Sequence, residues 1–271
     1  MRAAMTVLKE QFKYFYLVRR LSVYELKSNA SANYLGMAWE VIQPAIQIAI
    51  YWFVFGFGLR GKAPIAGVDF FHWMLAGIVV WFMISQGILK GTKSIFSKIK
   101  ILSKMNFPMS VIPNYMVFAQ FYPHLLLLGI VIIVMQFLGY TVNIYYLQLP
   151  IYMFGALAAL FSITLITSTL ATIVQDVQKL IQSVMRMLLY LSPILWPPQI
   201  LGDKFPMIVT IMKLNPFYYI IEGYRRAILG QGWYFIDNWQ YSLYFWSLVI
   251  VLFIIGAALH VKFRRHFVDF I

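Results

Sequence analysis

The sequence predicts an all-α integral membrane protein with six transmembrane helices, an N-terminal interfacial helix and short re-entrant helices between spans 5 and 6. Of its 271 residues, 62% are hydrophobic and only 11% are charged. The mean hydropathy is +0.76. A soluble domain of this length has no interior large enough for so much apolar surface. The net charge of +13 indicates cytoplasmic loops that face anionic lipid rather than a nucleic-acid site.

The N-terminal segment, residues 1–35, is predicted to be an amphipathic helix that lies on the membrane surface. Leu8, Phe12 and Phe15 recur at spacings of four and three residues, so they share one helical face. The alternative is a solvated, poorly ordered tail, which the regular aromatic spacing disfavours. The basic residues that follow this apolar face are Arg19, Arg20 and Lys27.

The rest of the chain, 36–271, is predicted to form one six-span membrane domain. The apolar runs, each near the length that a bilayer requires, cover about 36–58, 70–89, 114–138, 150–174, 183–200 and 240–261. With the N-terminus inside, 16 of the 22 Lys and Arg residues fall in cytoplasmic segments. This bias predicts a multi-pass topology with both termini in the cytoplasm.

The loop after span 2 is predicted to form a short amphipathic helix over about 94–107. Ile95, Ile99 and Leu102 form an apolar stripe, and Asn106-Phe107-Pro108 ends the helix. Periodicity leaves two interpretations open, which are docking into a groove on a cytoplasmic partner and anchoring to anionic lipid. The candidate docking residues are Lys93, Ile95, Phe96, Lys98, Ile99, Lys100, Leu102 and Phe107.

The stretch 176–227 is interrupted where a plain membrane span would continue. Pro193, Pro197 and Pro198 break the fifth apolar run, and two short semi-apolar pieces follow. Backbone that is not helical at membrane depth must be buried in protein or line a cavity, so we expect an extracellular re-entrant region over about 201–232 that lines a path. The candidate path-lining aromatics are Tyr190, Trp196, Tyr218, Tyr219 and Tyr224.

The same stretch contains a carboxylate and two guanidinium groups at helical spacing. Glu222 lies three and four residues before Arg225 and Arg226, so it can pair with either. One interpretation is an ion pair that steadies a re-entrant helix. The other is a gate or an anion contact.

The sequence lacks the clusters that most membrane enzymes and primary pumps require. No two of the nine acidic residues lie within ten positions of each other, which disfavours a carboxylate-held metal. The four histidines show no zinc spacing, and no phosphate-binding loop is present. We therefore predict no catalytic residue, metal site or ATP site in this chain. Any uphill transport would draw its energy from a partner protein or an ion gradient.

Several motifs together resemble a known family of membrane proteins. They are Asp176, Ser192-Pro193-Ile194-Leu195-Trp196, Asn215-Pro216-Phe217-Tyr218-Tyr219 and Glu222-Gly223-Tyr224-Arg225, preceded by Val23-Tyr24-Glu25-Leu26-Lys27, Tyr34-Leu35-Gly36-Met37-Ala38-Trp39, Pro44 and Tyr51-Trp52-Phe53-Val54-Phe55-Gly56. The later motifs resemble ABC-2 type permeases that export polysaccharides. The earlier ones look like the teichoic acid translocation permease branch.

The resemblance implies a permease subunit with no enzymatic activity of its own. It implies a homodimer with two copies of a cytoplasmic ABC ATPase, which would bind ATP and Mg²⁺, and a coupling helix that docks on that ATPase. The implied cargo is wall teichoic acid, a glycerol- or ribitol-phosphate polymer on undecaprenyl diphosphate, and the implied location is the plasma membrane of a Gram-positive bacterium.

On this hypothesis Arg19, Arg20 and Lys27 hold phosphate at the entrance and Arg225 and Arg226 meet it near the exit. An ion-coupled flippase and a membrane transferase that acts on lipid-linked sugars are the alternatives from other classes.

Overall fold

A computed structural model describes residues 2–31, 33–59, 64–65, 67–102, 107–198 and 205–267. Within these ranges five helical stretches are long and apolar enough to cross a membrane. They are Gly36–Gly58, Phe70–Ile99, Val111–Phe137, Ile144–Ile173 and Trp239–Phe263. The prediction of an all-α membrane protein is confirmed, and the count of six spans stays a prediction.

The described helices are numbered here in chain order. They are α1 (Arg2–Lys13), α2 (Phe15–Ser31), α3 (Trp39–Tyr51), α4 (Phe70–Leu102), α5 (Val111–Phe137), α6 (Leu149–Ile173), α7 (Asp176–Leu191), α8 (Pro206–Leu214), α9 (Pro216–Leu229), α10 (Tyr234–Asp237) and α11 (Trp239–Phe263). Short 3-10 turns, Gly36–Ala38 and Ile144–Gln148, precede α3 and α6. A π-helical segment, Trp52–Leu59, extends α3.

Helix α4 is the centre of the bundle and packs against α5, α6 and α9. Its side chains from Met74 to Val80 are almost fully buried, which is unusual for a helix that could have faced lipid. Gly91 permits the close approach of α6, because a Cβ there would overlap the side chain of Thr164. The surrounding spans therefore pack around α4.

The predicted fifth span, 183–200, is not a helix over that range. Helix α7 begins earlier, at Asp176, and ends at Leu191 after 16 residues. Sixteen residues reach about 24 Å, which is less than the hydrocarbon thickness of about 30 Å. The helix ends because Ser192 is extended and precedes Pro193, which lacks a backbone N–H.

Two short helices, α8 and α9, follow this break, as the sequence predicted. Asn215 separates them, and its side-chain oxygen accepts a hydrogen bond from the backbone N–H of Phe217 at 3.0 Å. This is an N-cap of α9, with Pro216 at the first helical position. The start of the predicted region, 201–204, lies outside the described residues, and its depth in the membrane stays a prediction.

No separate coupling helix begins near residue 94 in the described part of the chain; residues 103–106 lie outside the described residues, and docking on a partner ATPase stays a prediction. Helix α4 continues from the membrane span to Leu102 without a break. The apolar stripe is also turned inward, because Ile95 and Ile99 are buried among Val18, Ile112 and other residues of α2 and α5. Periodicity identified the apolar face, but it gave no information on the partner, and α2 covers that face within the chain.

The N-terminal segment forms two helices, α1 and α2, rather than one. Phe12 is 81% exposed, and Leu8 and Phe15 are exposed beside it. Val7 on the opposite side is buried against Leu165 of α6 and Ala257 of α11. The exposed apolar face has the arrangement that was predicted for a helix on the membrane surface.

Candidate functional site

A cavity of about 440 Å³ lies between α3, α4, α5 and α7. Along α3 it extends from Trp39 to Tyr51, a distance of about 18 Å at the helical rise. Its volume is within the range of about 300–1,000 Å³ that is typical of small-molecule sites.

Each of the four helices contributes a polar pair spaced by four residues to this cavity. Residues four apart lie on one face of a helix, one turn above the other. The pairs are Gln43 and Gln47 on α3, Gln86 and Lys90 on α4, Gln120 and His124 on α5, and Gln182 and Arg186 on α7. We call this space, lined by these eight side chains, the amide cavity.

The charged groups at the amide cavity are Lys90, Arg186 and Glu40. Two cations and one carboxylate give the lining a net positive charge. Such groups are costly inside an apolar bundle and are typical of a substrate or ion pathway. The polar lining is therefore expected to contact something other than lipid chains.

The ammonium group of Lys90 is held by one neighbour. Its Nζ donates a hydrogen bond to Oε1 of Gln120 across 3.0 Å, and Gln120 is itself buried. An ammonium group has three donors, so this amide satisfies only a part of its capacity. Lys90 also lines the cavity, so a ligand there could use its remaining donors.

The deeper wall of the amide cavity is tied to the interrupted stretch. Nε2 of His124 lies 2.8 Å from the hydroxyl group of Tyr224 on α9, and both residues are buried. The rings also meet edge to face, with centroids 5.6 Å apart. Helix α9 therefore supports the cavity wall without lining the cavity.

Arg225 lies in the protein interior and not at an exit. Its side chain is 1% exposed and pairs with Glu222, which is one of the two pairings that the helical spacing allowed. Nε donates to the carbonyl oxygen of Trp73 at 3.1 Å, and Nη2 donates to the carbonyl oxygen of Pro193. The guanidinium carbon lies 3.6 Å from the centroid of the Trp73 ring. The predicted contact of Arg225 with substrate phosphate is wrong, because protein groups surround its guanidinium group.

Arg226 has a different environment from its neighbour. Its side chain is 36% exposed, and its Nη1 lies 3.7 Å from an Asp237 carboxylate oxygen. Its guanidinium group also lies over the ring of Tyr234. Burial raises the pKa of Tyr234, and the Glu222 carboxylate raises it further, so this phenol stays neutral. The contact of Arg226 with substrate phosphate stays a prediction.

Most of the predicted path-lining aromatics pack in the core. Tyr218, Tyr219 and Tyr224 are buried, and Tyr219 stacks on Phe245 with centroids 4.7 Å apart. Their placement in a path is therefore wrong, since Tyr218 and Tyr219 meet aromatic rings of α6 and α11, and Tyr224 meets His124 of α5. Tyr190 is exposed, and its carbonyl oxygen accepts a hydrogen bond from Nε1 of the half-buried Trp196 at 2.6 Å.

The other predicted residues lie on the side of the bundle that carries the N-terminal helices. Arg19, Arg20 and Lys27 are exposed on α2, and Lys93 is exposed on α4. Lys98 is paired with Glu25 at 3.0 Å. Phe96 and Phe107 are half-buried, and the side chains of Lys100 and Leu102 lie outside the described residues.

The glutamines of the amide cavity were missed at the sequence level. Glutamine is uncharged, so a search for ionisable residues within spans passes over Gln43, Gln47 and Gln86. The available signal was the spacing, because four apolar helices each carry a polar pair one turn apart. Only the fold shows that these four faces meet.

The comparisons with known proteins agree with this architecture. The chain is 22% identical over 246 residues to the "O-antigen export system permease protein RfbA" of Klebsiella pneumoniae, covering 90% of this chain and 91% of that one. A second Klebsiella pneumoniae protein of that name is 24% identical with the same coverage. A Myxococcus xanthus protein of that name is 21% identical over 219 residues, covering 81% and 82% of the two chains.

The family comparison covers most of the chain. Residues 16–229, which include all four walls of the amide cavity, match the ABC-2 type transporter family. Members of this family are the membrane subunits of transporters. This chain belongs to the ABC-2 type transporter family as a multi-pass membrane protein.

Proposed function

We propose that this chain is the permease of an ATP-driven exporter that moves undecaprenyl-diphosphate-linked wall teichoic acid, or a related polysaccharide, out of the cytoplasm. The observation that carries the proposal is the alignment with O-antigen export permeases over nine-tenths of both chains. The polar cavity within an apolar bundle supports a cargo that carries hydroxyl and phosphate groups.

The working unit in this proposal is a homodimer bound to two copies of a cytoplasmic ABC ATPase in a bacterial plasma membrane. Helix α3 supports the dimer, because only 11% of its membrane-spanning window is buried in the monomer, against 72% for α4. The polar faces of α3 and α7 open beside this exposed surface. A second copy placed there would cover the cavities of both chains and join them into one path.

The ATPase in this proposal acts on the cytoplasmic end of α4 and on the adjacent N-terminal helices. Lys93 is exposed at that end, and Arg19, Arg20 and Lys27 offer positive charge on α2. These groups would attract acidic surfaces of a partner and anionic lipid head groups by Coulomb forces.

Reconstitution tests the function directly. The permease, with and without its ATPase, is placed in vesicles that contain lipid-linked teichoic acid or a lipid-linked neutral polysaccharide. We expect transfer across the membrane only with the ATPase and ATP. Transport by the chain alone under a proton or sodium gradient would indicate the ion-coupled flippase. Chemical turnover of the lipid-linked sugar without transfer would indicate the transferase.

A further inference from the structure

We propose that the amide cavity binds a phosphate group next to sugar or polyol hydroxyls, with Lys90 and Arg186 as the anion ligands and Gln120 as the residue that positions Lys90. This inference rests on the proposed function and identifies a binding site for its cargo. The shared chemistry is a phosphate ester or diphosphate. It can belong to the lipid end of the cargo or to the polymer itself.

The charges around the cavity determine the sign of the ligand. Lys90 and Arg186 line the cavity from two neighbouring helices, α4 and α7, and Glu40 is the one carboxylate among the described lining residues. Arg186 contacts Ser183 through Nη2 at 3.3 Å, a weak neutral contact that leaves its other donors for a ligand. Guanidinium and ammonium groups are the usual protein partners of phosphate.

The glutamines determine what accompanies the phosphate. A primary amide both donates and accepts hydrogen bonds, and hydroxyl groups do the same. Gln43 and Gln47 lie one helical turn apart on α3, and Gln86 and Gln182 each lie one turn before a cation on α4 and α7, so amide groups accompany both cations along the cavity. A purely inorganic anion would need more cations and fewer amides. A hydroxyl-bearing phosphate uses both kinds of group.

The hydrogen bond from Lys90 to Gln120 gives the cation a fixed position. Gln120 is 5% exposed, so its amide has little freedom, and its oxygen accepts from Nζ at 3.0 Å. An amide acceptor orients an ammonium group without neutralising it, whereas a carboxylate at that position would cancel the charge. The remaining donors of Lys90 stay available for an anion.

Binding to the permease–ATPase complex in lipid nanodiscs tests the site by titration calorimetry. The probes are a water-soluble glycerol phosphate oligomer, a short-chain prenyl diphosphate sugar and a neutral maltooligosaccharide. The double variant Lys90→Gln with Arg186→Gln is expected to weaken binding of at least one phosphate probe by about tenfold or more, because each lost contact is charge-assisted. Binding of the neutral probe is expected to change little.

Lys179→Gln is the matched control. Lys179 lies on α7 like Arg186, is 83% exposed, pairs with Asp176 and does not line the cavity. This variant removes one unit of positive charge, as each of the two cavity substitutions does, and should leave every affinity unchanged. Equal loss of phosphate binding in Lys179→Gln would overturn the proposal in favour of a general surface-charge effect.

Two single variants sharpen the assignment. Gln120→Leu retains both cations and removes the acceptor, so phosphate binding should weaken by several-fold while binding of the neutral probe stays. Glu40→Gln removes the opposing carboxylate, so phosphate should bind more tightly. Weaker phosphate binding in Glu40→Gln would contradict the assigned charges.

The outcomes separate this site from the proposed function. If the double variant loses affinity only for the prenyl diphosphate sugar, the site binds the lipid end of the cargo. If it loses affinity only for the glycerol phosphate oligomer, the site binds the polymer. Wild-type binding of both phosphate probes by the double variant overturns the site. The proposed export still stands in that case if vesicles show ATP-dependent transfer. Conversely, if the wild-type complex transfers no cargo, the proposed export function is wrong, but a measured phosphate affinity would still support the binding site.

Discussion

Arg225 and Lys90 are both cations inside an apolar helical bundle, and their surroundings are opposite in kind. Arg225 is 1% exposed and meets a carboxylate, two backbone carbonyl oxygens and an indole ring. Lys90 is half-buried, has one amide acceptor and lines a cavity. The first cation is enclosed by the protein, and the second retains donors for a ligand.

The difference shows how to separate structural from functional charges in a membrane protein. Charge within a span suggests function by default, but a buried cation whose donors meet protein groups has a structural role. Arg225 joins α9 to α4 and to the turn after α7, whereas Lys90 joins only to the adjacent α5. The predictions that follow test this contrast, from the largest expected effect to the smallest.

Replacing the enclosed cation should cause the largest loss of stability. Arg225→Leu leaves the partly buried Glu222 carboxylate without its partner and removes the donors to Trp73 and Pro193. We expect the free energy of unfolding to fall by about 3–5 kcal/mol. Thermal unfolding in a fixed detergent, followed by intrinsic fluorescence, measures the change.

Arg226→Ala is the control for Arg225→Leu. Its side chain is 36% exposed and its ion pair is long at 3.7 Å. The expected loss is below about 1 kcal/mol. A stable Arg225→Leu protein that folds normally but fails to export would reverse the comparison and restore a substrate role for Arg225.

A second variant changes the Arg225 site without changing its charge. Gly77 on α4 faces the guanidinium group, and a Cβ there would lie 2.6 Å from Nη2 of Arg225. Gly77→Ala should therefore displace the arginine and lower stability by about 1–3 kcal/mol. Gly129→Ala is a suitable control on α5, where nothing lies within 4 Å of the added Cβ. Equal thermal unfolding midpoints for Gly77→Ala and Gly129→Ala would show that the packing of Gly77 against Arg225 does not contribute to stability.

The hydrogen bond that connects the two regions should have a moderate effect. Tyr224→Phe removes the hydroxyl group that lies 2.8 Å from Nε2 of His124, and leaves that buried nitrogen without this partner. We expect a loss of about 1 kcal/mol in stability. Binding of the glycerol phosphate oligomer should weaken less than in the double variant Lys90→Gln with Arg186→Gln. A larger effect on binding than on unfolding would place Tyr224 nearer to the cargo than the structure does.

Replacing the cavity cation should have the smallest effect on stability. Lys90→Met retains the length of the side chain and removes a partly solvated charge, but it leaves the Gln120 oxygen without this donor, so the unfolding free energy should fall by at most about 1 kcal/mol. Export in vesicles should nevertheless fall. If Lys90→Met unfolds as easily as Arg225→Leu, the distinction between the two cations is lost.

The sequence predicts much of the scaffold because local signals suffice for it. Long apolar runs determine five spans, Pro193 marks the end of α7, and helical spacing allows Glu222 to pair with Arg225, the partner that it has in the structure. The errors concern tertiary partners. The stripe that contains Ile95 and Ile99 is amphipathic as predicted, but its partner is α2 of the same chain.

The candidate site was less predictable than the scaffold for a related reason. Aromatic residues such as Tyr219 have the same composition signal whether they line a path or pack in a core. The glutamine pairs were visible as a spacing, but four separate helices had to be placed before their faces could converge. Charge and aromaticity were therefore weaker guides than polar periodicity within apolar helices.

The unbroken length of α4 has a mechanical consequence. Its 33 residues form a rod of about 50 Å, with Trp73 near one end and Lys93 nearer the other. A tilt of about 10° would shift one end by about 9 Å relative to the other. Because no hinge interrupts the described helix, α4 is expected to move as one rigid body. A force applied beside Lys93 would therefore displace the contacts of Arg225 at the other end.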